Sequence, residues 1–152
     1  MKMMNKKLYI AYGSNLNLEQ MAHRCPDSKP LGKVELNDYQ LLFRGGRGGS
    51  VATVEPLKGN SVPCLLWEIT KTDETTLDRY EGFPYLYRKE YIKVKFGNEE
   101  VEAMIYIMNK GHMLGTPSLY YYSIIFDGYK SAGFDTDILK QAVEDSKENK
   151  NE

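Results

Sequence analysis

The sequence predicts one α+β domain, and three observations predict it. Short runs rich in β-branched and aromatic residues recur at least six times, each bounded by Gly, Pro, Asn or Asp, as strands are. Helix-like stretches fall between these runs irregularly, not in strict alternation. The strands also follow one another too closely for repeated βαβ crossovers, which argues against a doubly wound parallel sheet. So many strands in 152 residues leave edges that curling into a barrel would remove.

The elements follow in order. Leu8 to Tyr12 is a short apolar and aromatic run stopped by Gly13, which reads as a buried strand. After the Gly13-Ser14-Asn15 break, Leu16 to Cys25 reads as a short helix, with Asn17 as cap, Gln20 three residues on, and Pro26 as its stop. Leu31 to Leu36 and Tyr39 to Phe43 read as strands joined by a turn at Asn37-Asp38. Arg44 to Gly49 is a Gly-rich loop. Ser50 to Val54 and Val62 to Ile69 are further strands, separated by a turn from Pro56 to Asn60. Thr72 to Tyr80 carries a Thr cap with early acidic residues and ends at Gly82, so it reads as a helix. Arg88 to Phe96 and Val101 to Asn109 form a hairpin about Gly97-Asn98. Pro117 opens a helical stretch through Ala132, and a last helix runs from Thr136 to Ala142 or beyond. Residues 1–145 thus form the expected domain, and 146–152 a charged and polar tail.

Composition narrows the class. Apolar residues make up 41% and charged residues 27% of the chain, the balance of a globular protein and not a disordered one. A net charge of −1 gives no bulk attraction for nucleic acid or an anionic membrane. No apolar run approaches the roughly 20 residues that span a bilayer. The basic start lacks the apolar core of a secretory signal, so the expected location is cytoplasmic. Cys25 and Cys64 make no disulfide framework. With two His and two Cys scattered along the chain, no metal-ligand spacing and no cofactor motif is visible. Oligomeric state is left open.

Two segments have the chemistry of a site. Gly13 allows a sharp turn and close approach of a ligand, and the amides that follow it open a helix, where an anion or a developing oxyanion is stabilised. Ser14 and Asn15 add side-chain donors. The segment lacks the Lys and the length of a P-loop and is not a hydrolase nucleophile elbow. The second segment is Leu77-Asp78-Arg79-Tyr80-Glu81-Gly82-Phe83-Pro84. Glu81 falls at a helix carboxyl end, where the macrodipole disfavours negative charge, among aromatic and apolar neighbours. Both effects raise a carboxylate from its reference of roughly 4.3. On local chemistry alone, these segments also read as a polar strand-to-helix turn and as a solvated Glu at a helix end.

Four motifs in order add to that reading. Tyr12-Gly13-Ser14-Asn15-Leu16 after a first strand, Gly49-Ser50-Val51-Ala52-Thr53, Leu77-Asp78-x-x-Glu81-Gly82 followed by Tyr87-Arg88, and Pro117-Ser118-x-x-Tyr121 with Ile124-Ile125-x-x-Gly128 and Gly133 span most of the chain. Together they resemble the gamma-glutamylcyclotransferase-like family. The resemblance implies that family's small mixed β-barrel flanked by short helices, and the cyclisation of a gamma-glutamyl amide to 5-oxoproline with release of an amine. It also implies Glu81 as general acid and base, Tyr12, Gly13, Ser14 and Asn15 as the substrate cradle, and Tyr121 and Tyr87 as pocket residues. The implied partner is a small gamma-glutamyl compound: a gamma-glutamyl amino acid, a gamma-glutamyl amine such as an isopeptide, or a gamma-glutamyl group on a biosynthetic intermediate. Family members of undefined activity leave a second reading open, a metabolite-binding or regulatory module on the same fold.

Other features are discounted. His23 and Cys25, two apart on a helix, do not face each other. His112 reads as a solvated loop residue. One short Arg-Gly tract, Arg44 to Gly49, in a nearly neutral chain is a flexible loop and not an RNA-binding element. Of Tyr120, Tyr121 and Tyr122, helical geometry turns one toward a pocket and the others elsewhere.

Overall fold

A computed structural model describes residues 6–45 and 49–147. It contains five strands and four α-helices. In chain order these are β1 (Lys6–Ala11), a 3-10 turn (Ser14–Leu16), α1 (Leu18–Arg24), β2 (Lys29–Arg44), β3 (Val51–Thr70), α2 (Lys71–Glu81), β4 (Tyr87–Phe96), β5 (Glu99–Met108), α3 (Leu119–Ala132) and α4 (Thr136–Asp145).

The strands form one mixed sheet in the order β2-β3-β1-β5-β4. β1 lies at its centre, antiparallel to β3 and parallel to β5 where Tyr9 sits opposite Met104. Tyr9, Ile10 and Ala11 are all buried. A central strand covered on both faces needs apolar residues at every position, which is why this segment shows no alternation.

Two expectations change here. The strands expected on either side of Asn37-Asp38, and of Pro56 to Asn60, are not separate: each pair is one long strand, and β2 pairs with β3 from Lys29 to Arg44. The turn chemistry at these sites makes a bulge instead. The register shifts between Asn37 and Tyr39, Asp38 takes φ 66°, and its Oδ1 accepts a hydrogen bond from the Gly59 amide at 2.9 Å. An extra residue bends a strand without ending it.

The sheet is also not a closed barrel. It curls until the Phe96 ring of β4 lies against Gly32 of β2, where a Cβ would stand 2.9 Å from the ring. No ladder joins these two edges. Bulges in β2 and the charged residues along β4 protect the edges by other means, so closure is not required.

The helices cover the sheet and position its ends. α2 is capped two residues before the expected Thr72: the Thr70 hydroxyl accepts from the Asp73 amide, and the Asp73 carboxylate accepts from the Thr70 amide. It stops at Gly82, whose φ of 68° suits a residue without Cβ. The β4–β5 hairpin turns at Gly97, as its sequence predicts. α3 begins at Leu119 with Ser118 as cap, two residues later than Pro117 suggested.

Ser146, placed in the polar tail by its composition, is fully buried. Its Oγ accepts from the Phe43 amide and donates to the Ala142 carbonyl, which ties the end of α4 to β2. Residues 148–152 of that tail and 46–48 of the Arg-Gly loop lie outside the described residues. Among the described residues no helix is long and apolar enough to cross a membrane.

Candidate active site

The polypeptide leaves β1 through Tyr12, whose hydroxyl donates to the Tyr106 carbonyl at 2.6 Å. The next residues do not enter a helix directly. They make a single 3-10 turn, closed by Leu16 N–H to Gly13 O at 3.0 Å and Asn17 N–H to Ser14 O at 3.1 Å. Asn17 then caps α1 by accepting from the Gln20 amide. The first amides of such a turn have no partner within it. Those of Ser14 and Asn15 find no acceptor elsewhere among the described residues.

The side chains of this turn are more committed than its sequence suggested. The Asn15 carboxamide donates to the Tyr9 hydroxyl at 2.9 Å and accepts from Arg24 Nη1 at 2.5 Å, so it braces the turn. Ser14 Oγ shares a hydrogen bond with the Tyr80 hydroxyl at 3.2 Å.

Glu81 is the last residue of α2 and is half-buried. It lines the same cavity, of about 200 Å3, as Tyr12, Gly13, Ser14 and Asn15. Burial pushes its carboxyl up from 4.5 to about 7, against a smaller downward pull from the positive charge of Arg24. No hydrogen-bond donor reaches that carboxylate among the described residues, and the helix carboxyl end offers none.

The rest of the wall is largely phenolic. Tyr87 donates its hydroxyl to the Ala52 carbonyl, and the Tyr121 hydroxyl accepts from the Ala52 amide at 3.1 Å. Tyr106 donates to Asp78 at 2.6 Å. Burial raises the pKa of all these phenols, as it does for Tyr9 and Tyr12, and the nearby Glu81 charge adds to the effect. They are therefore neutral at ordinary pH.

All seven site residues expected from sequence, Glu81, Tyr12, Gly13, Ser14, Asn15, Tyr121 and Tyr87, border this cavity. Tyr9, Tyr80, Leu86 and Tyr106 border it too and were not named as site residues. Period-two reasoning separates Tyr9 from Tyr12. Tyr106 lies in β5 where Ala103 to Met108 are buried throughout, so no alternation marks the face it uses.

The discounted groups sit elsewhere. Cys25 is buried with its Sγ toward the Asp73 carbonyl, and burial pushes its thiol up to about 12. Cys64 is buried and free. Arg44 is held by Glu55 and by the His112 carbonyl. Among the described residues no group of three or more His, Cys, Asp or Glu is placed to hold a metal ion.

Comparison with known proteins shows the family. The family model described as "Gamma-glutamyl cyclotransferase, AIG2-like" matches residues 9–123, which include Glu81, the Ser14 turn and Tyr121. Gamma-glutamylcyclotransferase of Homo sapiens is 29% identical over 136 residues, 83% of this chain and 71% of the human protein. That of Bos taurus is 28% identical over 144 residues, 88% of this chain and 76% of the bovine one. A solved gamma-glutamyl cyclotransferase superposes with a TM-score of 0.80 at 27% identity, over 90% of this chain and 86% of that one. With the family model spanning three quarters of its length, the chain belongs to the gamma-glutamyl cyclotransferase, AIG2-like family.

Proposed function

We propose that this chain cyclises a gamma-glutamyl amide or gamma-glutamyl amino acid to 5-oxoproline and releases the amine, with Glu81 carrying the protons. One observation supports this above the others: a carboxylate raised to about 7, with no donor of its own, lines the same cavity as Ser14 and Asn15, whose amides have no acceptor among the described residues.

The reaction needs little else. The substrate's α-ammonium must lose a proton before its nitrogen can attack the gamma-carbonyl carbon. Ionised Glu81 accepts that proton. The new N–C bond forms, and negative charge on the carbonyl oxygen meets the free amides of the turn. The C–N bond to the leaving group then breaks as Glu81 returns the proton to the departing nitrogen. A second proton follows the same route, so two leave the α-nitrogen and two arrive on the released amine. A carboxyl near neutrality populates both of its forms and suits both halves of the cycle.

No protein nucleophile is required, because the substrate supplies it. Holding the substrate bent is worth an effective molarity of about 10⁵–10⁸ M. The neutral tyrosines shape the wall without competing for the proton. The cavity is smaller than the roughly 300–1,000 Å3 of drug-sized pockets, so it takes one glutamyl-sized group and leaves the amine portion toward its mouth. A module that only binds a metabolite would share this hollow but has no use for a desolvated, undonated carboxylate.

The test is a panel of gamma-glutamyl amino acids, amines and isopeptides, assayed for 5-oxoproline by mass spectrometry. Glu81→Gln should lose about 10²–10⁴-fold in kcat while still being stabilised thermally by 5-oxoproline. Wild-type kcat/KM should fall as pH drops through about 7, because Glu81 must begin ionised. Normal turnover by the variant, or no acidic limb above about pH 5, would overturn the assignment.

A further inference from the structure

Arg24 closes α1 and is not one of the residues bordering the cavity. Its guanidinium nevertheless reaches both halves of the site. Nη1 donates to Asn15 Oδ1 at 2.5 Å, Nη2 donates to Gln20 Oε1 at 2.7 Å, and the guanidinium carbon lies 3.7 Å from the centre of the Tyr80 ring. Asn15 belongs to the turn after β1, and Tyr80 immediately precedes Glu81. The Tyr80 hydroxyl completes a circuit by meeting Ser14 Oγ at 3.2 Å. One planar cation thus uses two edges and a face at once, which an ammonium on a flexible stem does not reproduce.

We propose that Arg24 is a positioning residue, clamping the Ser14–Leu16 turn to the Glu81 end of α2 and supplying the positive charge that acts on that carboxylate. The other titratable groups facing Glu81 are Tyr9 and Tyr12 from β1, Tyr87 from β4, Tyr106 from β5 and Tyr121 from α3, with Tyr80 beside it on α2. The first five are phenols that burial keeps neutral. Arg24 is the charge that opposes the desolvation of Glu81. Clamp and charge are separable by substitution: lysine keeps the charge and loses the fork and the stacking, whereas glutamine loses the charge.

This role rests on Glu81 being the proton carrier, yet half of it can be measured without turnover. The Glu81 carboxyl carbon is titrated by NMR in the wild type, Arg24→Lys and Arg24→Gln, and kcat and KM are measured with gamma-glutamylalanine. The Glu81 midpoint should rise by at least about 0.5 unit in Arg24→Gln and stay within about 0.3 unit of wild type in Arg24→Lys. KM should rise about tenfold or more in both variants, corresponding to about 1.4 kcal/mol of lost binding. A midpoint that does not move in Arg24→Gln overturns the electrostatic half, and a wild-type KM in Arg24→Lys overturns the clamp. If the wild type turns over no gamma-glutamyl compound while the midpoint still shifts as stated, the reaction is wrong and the influence of Arg24 on Glu81 stands.

Discussion

Ala52 shows how single residues hold this site. It faces Phe43 across the β2–β3 ladder. The Phe43 amide goes to Ser146 and its carbonyl to the Gly115 amide, so the pair exchanges no backbone bonds. The amide and carbonyl of Ala52 therefore point away from β2, beyond the end of β1, and tyrosine hydroxyls take the place of a neighbouring strand: Tyr121 accepts from the amide and Tyr87 donates to the carbonyl. Tyr121→Phe keeps the ring and strands a buried N–H. The loss should be about 1–3 kcal/mol, read as a fall in Tm of roughly 2–4 °C per kcal/mol in a domain of this size. Tyr87→Phe should cost less, because a carbonyl tolerates a missing partner better than an amide does. Equal melting temperatures for wild type and Tyr121→Phe would show that the Ala52 amide finds water instead.

Between elements, α3 packs tightly on the turn after β1 that carries Ser14 and Asn15. A Cβ added at Gly128 would lie 2.8 Å from the Leu16 Cβ, 2.9 Å from the Leu16 carbonyl carbon and 3.0 Å from the Asn17 amide nitrogen. Two of those atoms are backbone, so nothing can rotate away. At Gly13 the added Cβ would meet the Ala52 Cβ at 3.3 Å, which a small shift relieves. Gly128→Ala should therefore destabilise by about 1–3 kcal/mol and weaken stabilisation by 5-oxoproline, because the turn must move. Gly13→Ala should retain more of its melting temperature. The reverse order, measured by thermal denaturation with and without 5-oxoproline, would mean that α3 yields more easily than its contacts imply. At this scale much was legible: the cap of α1, the Gly82 stop and the Gly97 turn follow from residue types in fixed local positions, whereas the cap of α2 falls at Thr70, two residues before the Thr that opens the expected helix. The errors arose where local chemistry has two outcomes. Asn37-Asp38 and Pro56 to Asn60 satisfy the rules for a turn, and only pairing across the hairpin makes them a bend within continuous strands.

In the whole molecule, the open sheet, the position of Tyr106 and the reach of Arg24 depend on contacts between distant segments, which neither periodicity nor spacing encodes. Glu81 is different, because its unfavourable helix-end position among aromatic neighbours is written locally, and that burden falls on the stability of the whole fold. Its carboxyl titrates near 4.5 when unfolded and about 7 when folded. Between those values the folded protein binds more protons than the unfolded chain, so stability falls as pH rises through that window and levels off above about 7. The full shift corresponds to at most about 3 kcal/mol, reduced by the side chain's remaining contact with solvent. Glu81→Gln removes the charge and keeps the shape. It should melt several degrees above wild type at pH 8, and the advantage should shrink to nothing near pH 4.5, where both folded proteins are neutral at this position. Thermal melts of the two proteins across that range provide the measurement. An advantage that is constant with pH would mean that the gain comes from packing. No advantage at pH 8 would mean that the carboxylate is already satisfied by water or a neighbour, leaving it too ordinary an acid to move protons near neutrality.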